Sequence, residues 1–125
     1  MILVDTSVWI DHMRRPIREL DTRLRAREIL CHGMVIGELA CGNLRDREST
    51  LRRLHALPVV GVLTSAEVLE QIEVRGWMGR GIGYVDANLL GSVLAHEGSS
   101  LWTRDRRLRQ IAEEIGIAHT EAQAV

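Results

Sequence analysis

Short apolar runs alternate along the chain with segments whose apolar residues recur three or four positions apart. The runs predict β-strands at residues 2–4, 29–31, 59–63, 101–102 and 117–119. The helical spacing predicts helices near residues 8–14, 17–24, 35–41, 46–57, 65–72, 85–94 and 108–115. Because short links join strands and helices in alternation, we expect one domain over residues 1–125. Its fold should be α/β, with a parallel sheet covered by helices on both faces.

Acidic residues follow or open these elements at four places. Asp5 comes directly after the first strand, and Asp105 comes just after the strand at residues 101–102. Glu38 and Asp86 lie on predicted helices, among apolar and small neighbours. Because ligands of parallel sheets bind at the carboxyl ends of the strands, we expect these carboxylates to meet at one edge of the sheet.

Each acidic residue also has a purely structural interpretation. Asp5 could be a turn or cap residue, and Glu38 could lie on the outer face of an amphipathic helix. Asp86 and Asp105 could carry favourable charge in the first turn of a helix. Three neighbouring hydroxyl groups are interpreted as helix caps first and as groups that orient a ligand or water second: Thr6, Ser7 and Thr103.

Converging carboxylates need protons or a cation, because each pair at close range repels by about 1–4 kcal/mol. No His or Cys occurs at metal-ligand spacing, so the ligands would all be oxygen atoms, which select Mg²⁺ or Mn²⁺ over zinc. Such an ion polarises a phosphate and lowers the pKa of a bound water. The matching reaction is the hydrolysis of a phosphodiester bond by an activated water.

All sixteen basic residues are arginine. The absence of lysine excludes Schiff-base catalysis, the lysine-containing phosphate loop and nucleases of the PD-(D/E)xK type. The net charge of −1 gives no global positive field, although the arginines at 104, 106, 107 and 109 could face a polyanion or form a solvated helix face.

No apolar run approaches the roughly 20 residues of a membrane span. With no apparent signal peptide either, we expect a cytoplasmic protein without a membrane partner.

The acidic motifs, in this order, resemble those of the PIN-domain ribonucleases. They are Asp5-Thr-Ser, Glu38-Leu, Asp86-Ala and Thr103-x-Asp105-x-x-Leu108. The opening Met1-Ile-Leu-Val-Asp-Thr-Ser-Val-Trp-Ile is similar to that of the VapC-type toxins of bacterial toxin–antitoxin pairs. The likeness extends from residue 2 to about residue 115.

The resemblance implies a PIN-like three-layer α/β/α fold with about five parallel strands. It implies an RNA-cleaving enzyme in which Asp5, Glu38, Asp86 and Asp105 bind one or two Mg²⁺ or Mn²⁺ ions. Supporting roles, in orienting the acids or a bound water, would fall to Thr6 or Ser7 and to Thr103. The expected partners are the RNA substrate, a second copy in a homodimer, and an antitoxin that covers the acidic groove.

Some members of the family carry a further acid just after the last Asp. This chain has Arg106 and Arg107 there, so the resemblance predicts one metal ion but does not decide whether a second one binds. Two other functions fit the same residues. A binding module with this fold could hold RNA or a partner without cleaving it, and a small-molecule phosphatase could use the same metal site.

Several further expectations concern the rest of the chain. The helices near residues 17–26 and 46–57 could supply the apolar face of a dimer, and residues 76–83 form a glycine-rich connection. Cys31 and Cys41 are expected to be reduced thiols in the core. The tail at residues 121–125 is predicted to be loose, and the scattered histidines are assigned no role.

Overall fold

A computed structural model describes residues 1–122 and confirms the predicted layers of helices around a parallel sheet. The elements, in chain order, are β1 (Ile2–Val4), α1 (Thr6–Arg14), α2 (Arg18–Arg25), β2 (Ile29–His32), α3 (Gly33–Ala40), α4 (Arg47–His55), β3 (Val59–Val60), α5 (Ser65–Arg75), α6 (Tyr84–Ala95), β4 (Ser100–Trp102) and α7 (Arg106–Glu114). None of the helices in residues 1–122 is long and apolar enough to cross a membrane.

The four strands lie in the order β3-β2-β1-β4, and every neighbouring pair is parallel. The chain therefore moves from β1 to one side of the sheet and later returns to place β4 on the other side of β1. The register pairs Leu3 of β1 with both Leu30 and Leu101. Ligands of open parallel sheets bind beyond the carboxyl ends of the strands at such a reversal. The segments that follow β1 and β4 lie at that position.

The inner strands are buried on both faces, which explains why they appear in the sequence as continuous apolar runs. Every residue of β1 and β2 is buried, and so are Leu101 and Trp102 of β4. The helices near residues 17–26 and 46–57 also turn their apolar residues towards this core. Leu20 and Leu54 are buried in it. The large apolar side chains that remain exposed lie mainly on α1, around β3 and on α5.

The sheet differs from the predicted one at two places. The expected fifth strand at residues 117–119 is a single parallel bridge between Leu101 and Ala118. The predicted strand at residues 59–63 is regular only over Val59–Val60. The reason is that the backbone N–H and C=O of Leu63 form hydrogen bonds with the side chain of Asn88, at 3.2 and 3.1 Å, instead of continuing the ladder.

Two residues that precede helices differ in whether their side chains cap the helix. Thr64 caps α5, because the Glu67 N–H donates to Thr64 Oγ1 and the Thr64 N–H donates to the Glu67 carboxylate. Asp46 precedes α4 but forms no capping hydrogen bond with its side chain, since its backbone is left-handed with φ of 46°. The cysteine prediction is right for Cys31, which is buried, and wrong for Cys41, which is exposed at the end of α3.

A buried polar network joins β2, α6 and the loop after β3. The Met34 N–H donates to Nδ1 of His32, so the Nε2 proton of His32 faces the hydroxyl of Ser92, 3.0 Å away. Ser92 donates to Oδ1 of Asn88, which holds the backbone of Leu63. Burial lowers the pKa of His32 and keeps the ring neutral, although a hydrogen bond with Asn88 acts in the other direction. His32, which had no predicted role, therefore holds α6 against the sheet.

The predicted loose tail is fixed at its first two residues. The carboxylate of Glu121 accepts hydrogen bonds from the indole N–H of Trp102 at 2.9 Å and from the guanidinium of Arg104 at 2.9 and 2.8 Å. These bonds, those from Arg104 first, lower the pKa of Glu121. The Ala122 N–H donates to Glu19 on α2. The remaining tail residues, 123–125, lie outside the described part of the chain.

Replacing Asn88 by Ala should lower the free energy of unfolding by about 2–4 kcal/mol, because both backbone groups of Leu63 and the hydroxyl of Ser92 lose a buried partner. Urea unfolding of the two proteins measures the difference. The matched control is Asn43→Ala, in the exposed loop between α3 and α4, which should change stability by less than about 0.5 kcal/mol. Equal stabilities for the two variants would contradict the role of the network.

Candidate active site

Asp5 lies at the centre of the edge where β1 and β4 end. Its side chain is only 5% exposed, and its backbone N–H donates to the carbonyl of Trp102 at 2.9 Å. Asp5 occupies the N-cap position of α1, yet its carboxylate forms no capping hydrogen bond with that helix. The interpretation of Asp5 as an ordinary helix cap therefore fails, and its buried charge is held by other groups.

Two hydroxyl groups hold the carboxylate of Asp5. Ser7 Oγ and Thr103 Oγ1 each donate to Oδ2 of Asp5 at 2.7 Å. The same hydroxyls accept backbone N–H groups from the segment after β4, since Ser7 accepts from Arg104 and Thr103 accepts from Asp105, both at 3.0 Å. Ser7 and Thr103 thus fix Asp5 and the start of α7 relative to each other.

The other three acids approach the same edge from helices. Glu38 is exposed on α3 and accepts a hydrogen bond from the hydroxyl of Thr6 at 2.7 Å. Asp86, in the first turn of α6, accepts the N–H of Gly83 at 3.1 Å. Asp105 caps α7, because one of its oxygens accepts the N–H of Leu108 at 2.9 Å.

The capping hydrogen bonds of Asp86 and Asp105 occupy only one oxygen of each carboxylate. Within residues 1–122, hydrogen bonds reach only one oxygen of each acid: Oδ2 of Asp5, Oε1 of Glu38, Oδ2 of Asp86 and Oδ1 of Asp105. The second oxygen of each carboxylate remains available to a ligand. Structural and ligand-binding interpretations are therefore compatible at these positions.

The four acids are close enough to act on one another electrostatically. Burial raises the pKa of Asp86, and the charges of Asp5, Asp105 and Glu38 raise it further, while the hydrogen bond from Gly83 lowers it in part. No arginine or histidine in the described residues forms an ion pair with any of the four. Within residues 1–122, therefore, no ion pair offsets the negative charge of these carboxylates.

This charge suits a hard cation, because every available donor is a carboxylate oxygen. As the side chains stand in residues 1–122, however, no three of the His, Cys, Asp and Glu groups are close enough to hold one ion. Coulomb interactions extend further than ligand bonds, so the same acids can influence a pKa without reaching a common centre.

Residues 2–114 of the chain match the PIN domain family. The chain belongs to the PIN-domain family. It is 48% identical over 121 residues to "Ribonuclease VapC32" of Mycobacterium tuberculosis, from strains CDC 1551 / Oshkosh and ATCC 25618 / H37Rv alike. The alignment covers 97% of this chain and 98% of that relative, so the resemblance to VapC-type PIN domains is confirmed.

The fold is also that of a solved structure. PAE2754 from Pyrobaculum aerophilum superimposes on this PIN domain with a TM-score of 0.60 at 20% identity. The superposition covers 87% of this chain and 82% of PAE2754. At this level of identity the likeness concerns the fold alone. It agrees with the parallel sheet and the flanking helices described above.

Sequence reasoning missed the polar residues that hold the elements around the acidic edge without belonging to the edge themselves. Asn88 and Ser92 are buried polar residues four positions apart on α6, which is the spacing of side chains that meet on one helix face. That pair was the available signal for the network beneath Asp86. The contact of Glu121 with Arg104 had no comparable signal, because nothing local connects the two residues.

Replacing Asp86 by Asn removes a charge and keeps an oxygen that can accept the Gly83 N–H. The pKa of Asp86 is higher in the folded protein than the ordinary value of 3.8, which applies to the unfolded chain. As the pH rises above 3.8, the unfolded chain loses this proton first, so the folded state becomes less stable until its own carboxyl has ionised. Asp86→Asn should therefore raise the melting temperature by a few degrees at pH 7 in EDTA. The gain should shrink as the pH falls towards 3.8.

Melting curves over a pH series check this expectation. Glu73→Gln is the control, since Glu73 is exposed on α5 and forms no hydrogen bond or ion pair within residues 1–122. It should melt like the parent protein at every pH. A melting temperature for Asp86→Asn below that of the parent at pH 7 would show that the carboxylate stabilises the fold.

Proposed function

We propose that this PIN domain is a metal-dependent endoribonuclease and the toxin of a type II toxin–antitoxin pair. The observation that carries the proposal is the set of four carboxylates, without ion-pair partners in residues 1–122, at the reversal point of the sheet. The near full-length likeness to a protein named Ribonuclease VapC32 supports RNA as the substrate. We further propose that the protein acts in the cytoplasm.

We assign metal binding to Asp5, Glu38, Asp86 and Asp105, with Mg²⁺ or Mn²⁺ as the ion. When bound, such an ion would polarise the scissile phosphate and lower the pKa of a water molecule. The chain itself would contribute fixed directions. Oδ2 of Asp5 is held by Ser7 and Thr103, so its second oxygen points in a defined direction before any ligand arrives.

The supporting groups differ in how firmly they hold their acids. Asp5 is buried between two hydroxyls, whereas Glu38 is exposed and held by the single hydroxyl of Thr6. We infer that Asp5 is the fixed member of the set and that Glu38 is the one free to adjust to the ion or the substrate. Asp86 and Asp105 are intermediate, since each is anchored through one oxygen to its own helix or the loop before it.

Cleavage of a cellular RNA mixture by the purified protein tests this function. With Mg²⁺ or Mn²⁺ the parent protein should cut, and EDTA should stop it. Asp5→Asn and Asp86→Asn should each reduce the rate by at least about 100-fold, because they remove ligand charge from the site. Glu73→Gln, which lies outside the site, should cut like the parent.

Three outcomes would change the assignment. Full cleavage by both Asp variants would contradict it. RNA binding without cleavage under any metal condition would support the binding-module interpretation, and turnover of a simple phosphomonoester with RNA left intact would support a phosphatase. A rise in melting temperature on adding metal, lost in Asp5→Asn, would establish the metal site separately from cleavage.

We also propose two protein partners. An antitoxin with a basic segment would compensate the acidic edge, and the exposed Ile10 and Met13 on α1 offer it apolar contacts nearby. A second copy of the chain would cover the exposed apolar side chains around β3 and α5, which are Val59, Val62 and Leu69. Light scattering at working concentration should give the mass of two chains; the mass of one chain would contradict the dimer.

A further inference from the structure

The arginines after β4 differ in what their side chains contact. The guanidinium of Arg104 is held by Asp11 at 3.0 Å and by Glu121 at 2.8 Å. Arg109 lies 3.7 Å from Glu113, one turn further along α7. Within residues 1–122, Arg106 and Arg107 form no ion pair, although they directly follow Asp105 at the acidic edge. Two positive charges without acidic partners thus border the carboxylates.

The exposed side chain of Arg107 lies against the backbone of Gly81. A Cβ atom added to Gly81 would lie 2.5 Å from both Cδ and Nη1 of Arg107 and 3.0 Å from its Cζ. The side chain of Arg107 therefore lies against Gly81 in space that only glycine leaves open. Gly81 also has φ of 82°, which other residues rarely adopt.

This contact connects the two helices that carry Asp86 and Asp105. Arg107 belongs to the first turn of α7, beside Asp105, while Gly81 lies two residues before Gly83, whose N–H donates to Asp86. The same loop is attached to the far end of α7 by the ion pair between Arg80 and Glu114 at 2.8 Å. Arg107 therefore reaches from the helix that Asp105 caps to the loop that precedes Asp86, with its guanidinium near the backbone of that loop.

We propose that Arg107 binds a backbone phosphate of single-stranded RNA at the border of the acidic site. The proposal rests on the proposed function for the identity of the polyanion. A guanidinium binds phosphate through two parallel N–H groups, and it would offset the repulsion between the acidic edge and an approaching RNA chain. Gly81 is then required because any side chain there would displace Arg107.

Equilibrium binding tests the charge. The probe is a labelled single-stranded RNA of random sequence and about 20 nucleotides, measured by fluorescence anisotropy in EDTA over a series of salt concentrations. Arg107→Gln should raise Kd by about 3- to 10-fold and reduce the salt slope by about 0.7, the value for one lost phosphate contact on a single strand. Arg109→Gln, which removes the same charge from the same helix, should bind nearly as the parent does.

A glycine pair tests the position of the side chain without changing any charge. Gly81→Ala should weaken binding by part of the loss seen in Arg107→Gln, because the guanidinium is displaced but keeps its charge, and the double variant should bind no worse than Arg107→Gln alone. Gly79→Ala is the matched control, because its φ of 70° imposes similar backbone strain while no atom lies within 4 Å of the added Cβ. Melting curves establish that each variant is folded at the assay temperature.

The proposal is overturned if Arg107→Gln binds like Arg109→Gln, if Gly79→Ala loses as much affinity as Gly81→Ala, or if the parent protein fails to bind the RNA even at low salt. The RNA cleavage assay separates this result from the proposed function. Binding that depends on Arg107, in a protein that cuts no RNA, would support the phosphate contact and contradict the nuclease. If the parent cuts RNA and Arg107→Gln has the same Kd and kcat/KM as the parent, the nuclease is supported and the phosphate contact of Arg107 is contradicted.

Discussion

The hydrogen bond from Thr103 to Asp5 joins the ends of two parallel strands that are 98 residues apart in sequence. It also orients a buried carboxylate, since the Thr103 hydroxyl has the N–H of Asp105 on its other side. Strand pairing alone would bring β1 and β4 together without fixing any side chain. The hydroxyls of Thr103 and Ser7 convert that pairing into a defined direction for Asp5, and the rest of the acidic edge is arranged around it.

Repulsion among the acids is opposed by a polar frame beneath them. Asn88, two residues after Asp86, is held by Ser92 and the backbone of Leu63, and the chain of hydrogen bonds ends at the neutral ring of His32 in β2. Such a fully bonded buried network favours one arrangement of its elements. It explains how α6 can present a carboxylate with a raised pKa without moving away from the sheet.

Local patterns were sufficient to predict most of the fold and the position of Asp5 and Asp105 at one edge of the sheet. Alternating apolar periods gave the layers, and the position of Asp5 and Asp105 after strands gave the edge. The errors arose where distant contacts decide. Val59–Val60 stops short because a side chain 25 residues away bonds to Leu63, and Glu121 is ordered by Arg104. The roles of the acids stay predictions, because their chemistry depends on an ion.

Pairing between the first and the last strand has a consequence for protein synthesis. β1 leaves the ribosome well before its neighbour β4 and the helix that begins after Asp105, because about 95 residues separate the two strands in the chain. At about 5–20 residues per second, the early acids exist for several seconds without Thr103 or Asp105 beside them. A nascent chain therefore cannot assemble the complete edge until β4 and the start of α7 have been made.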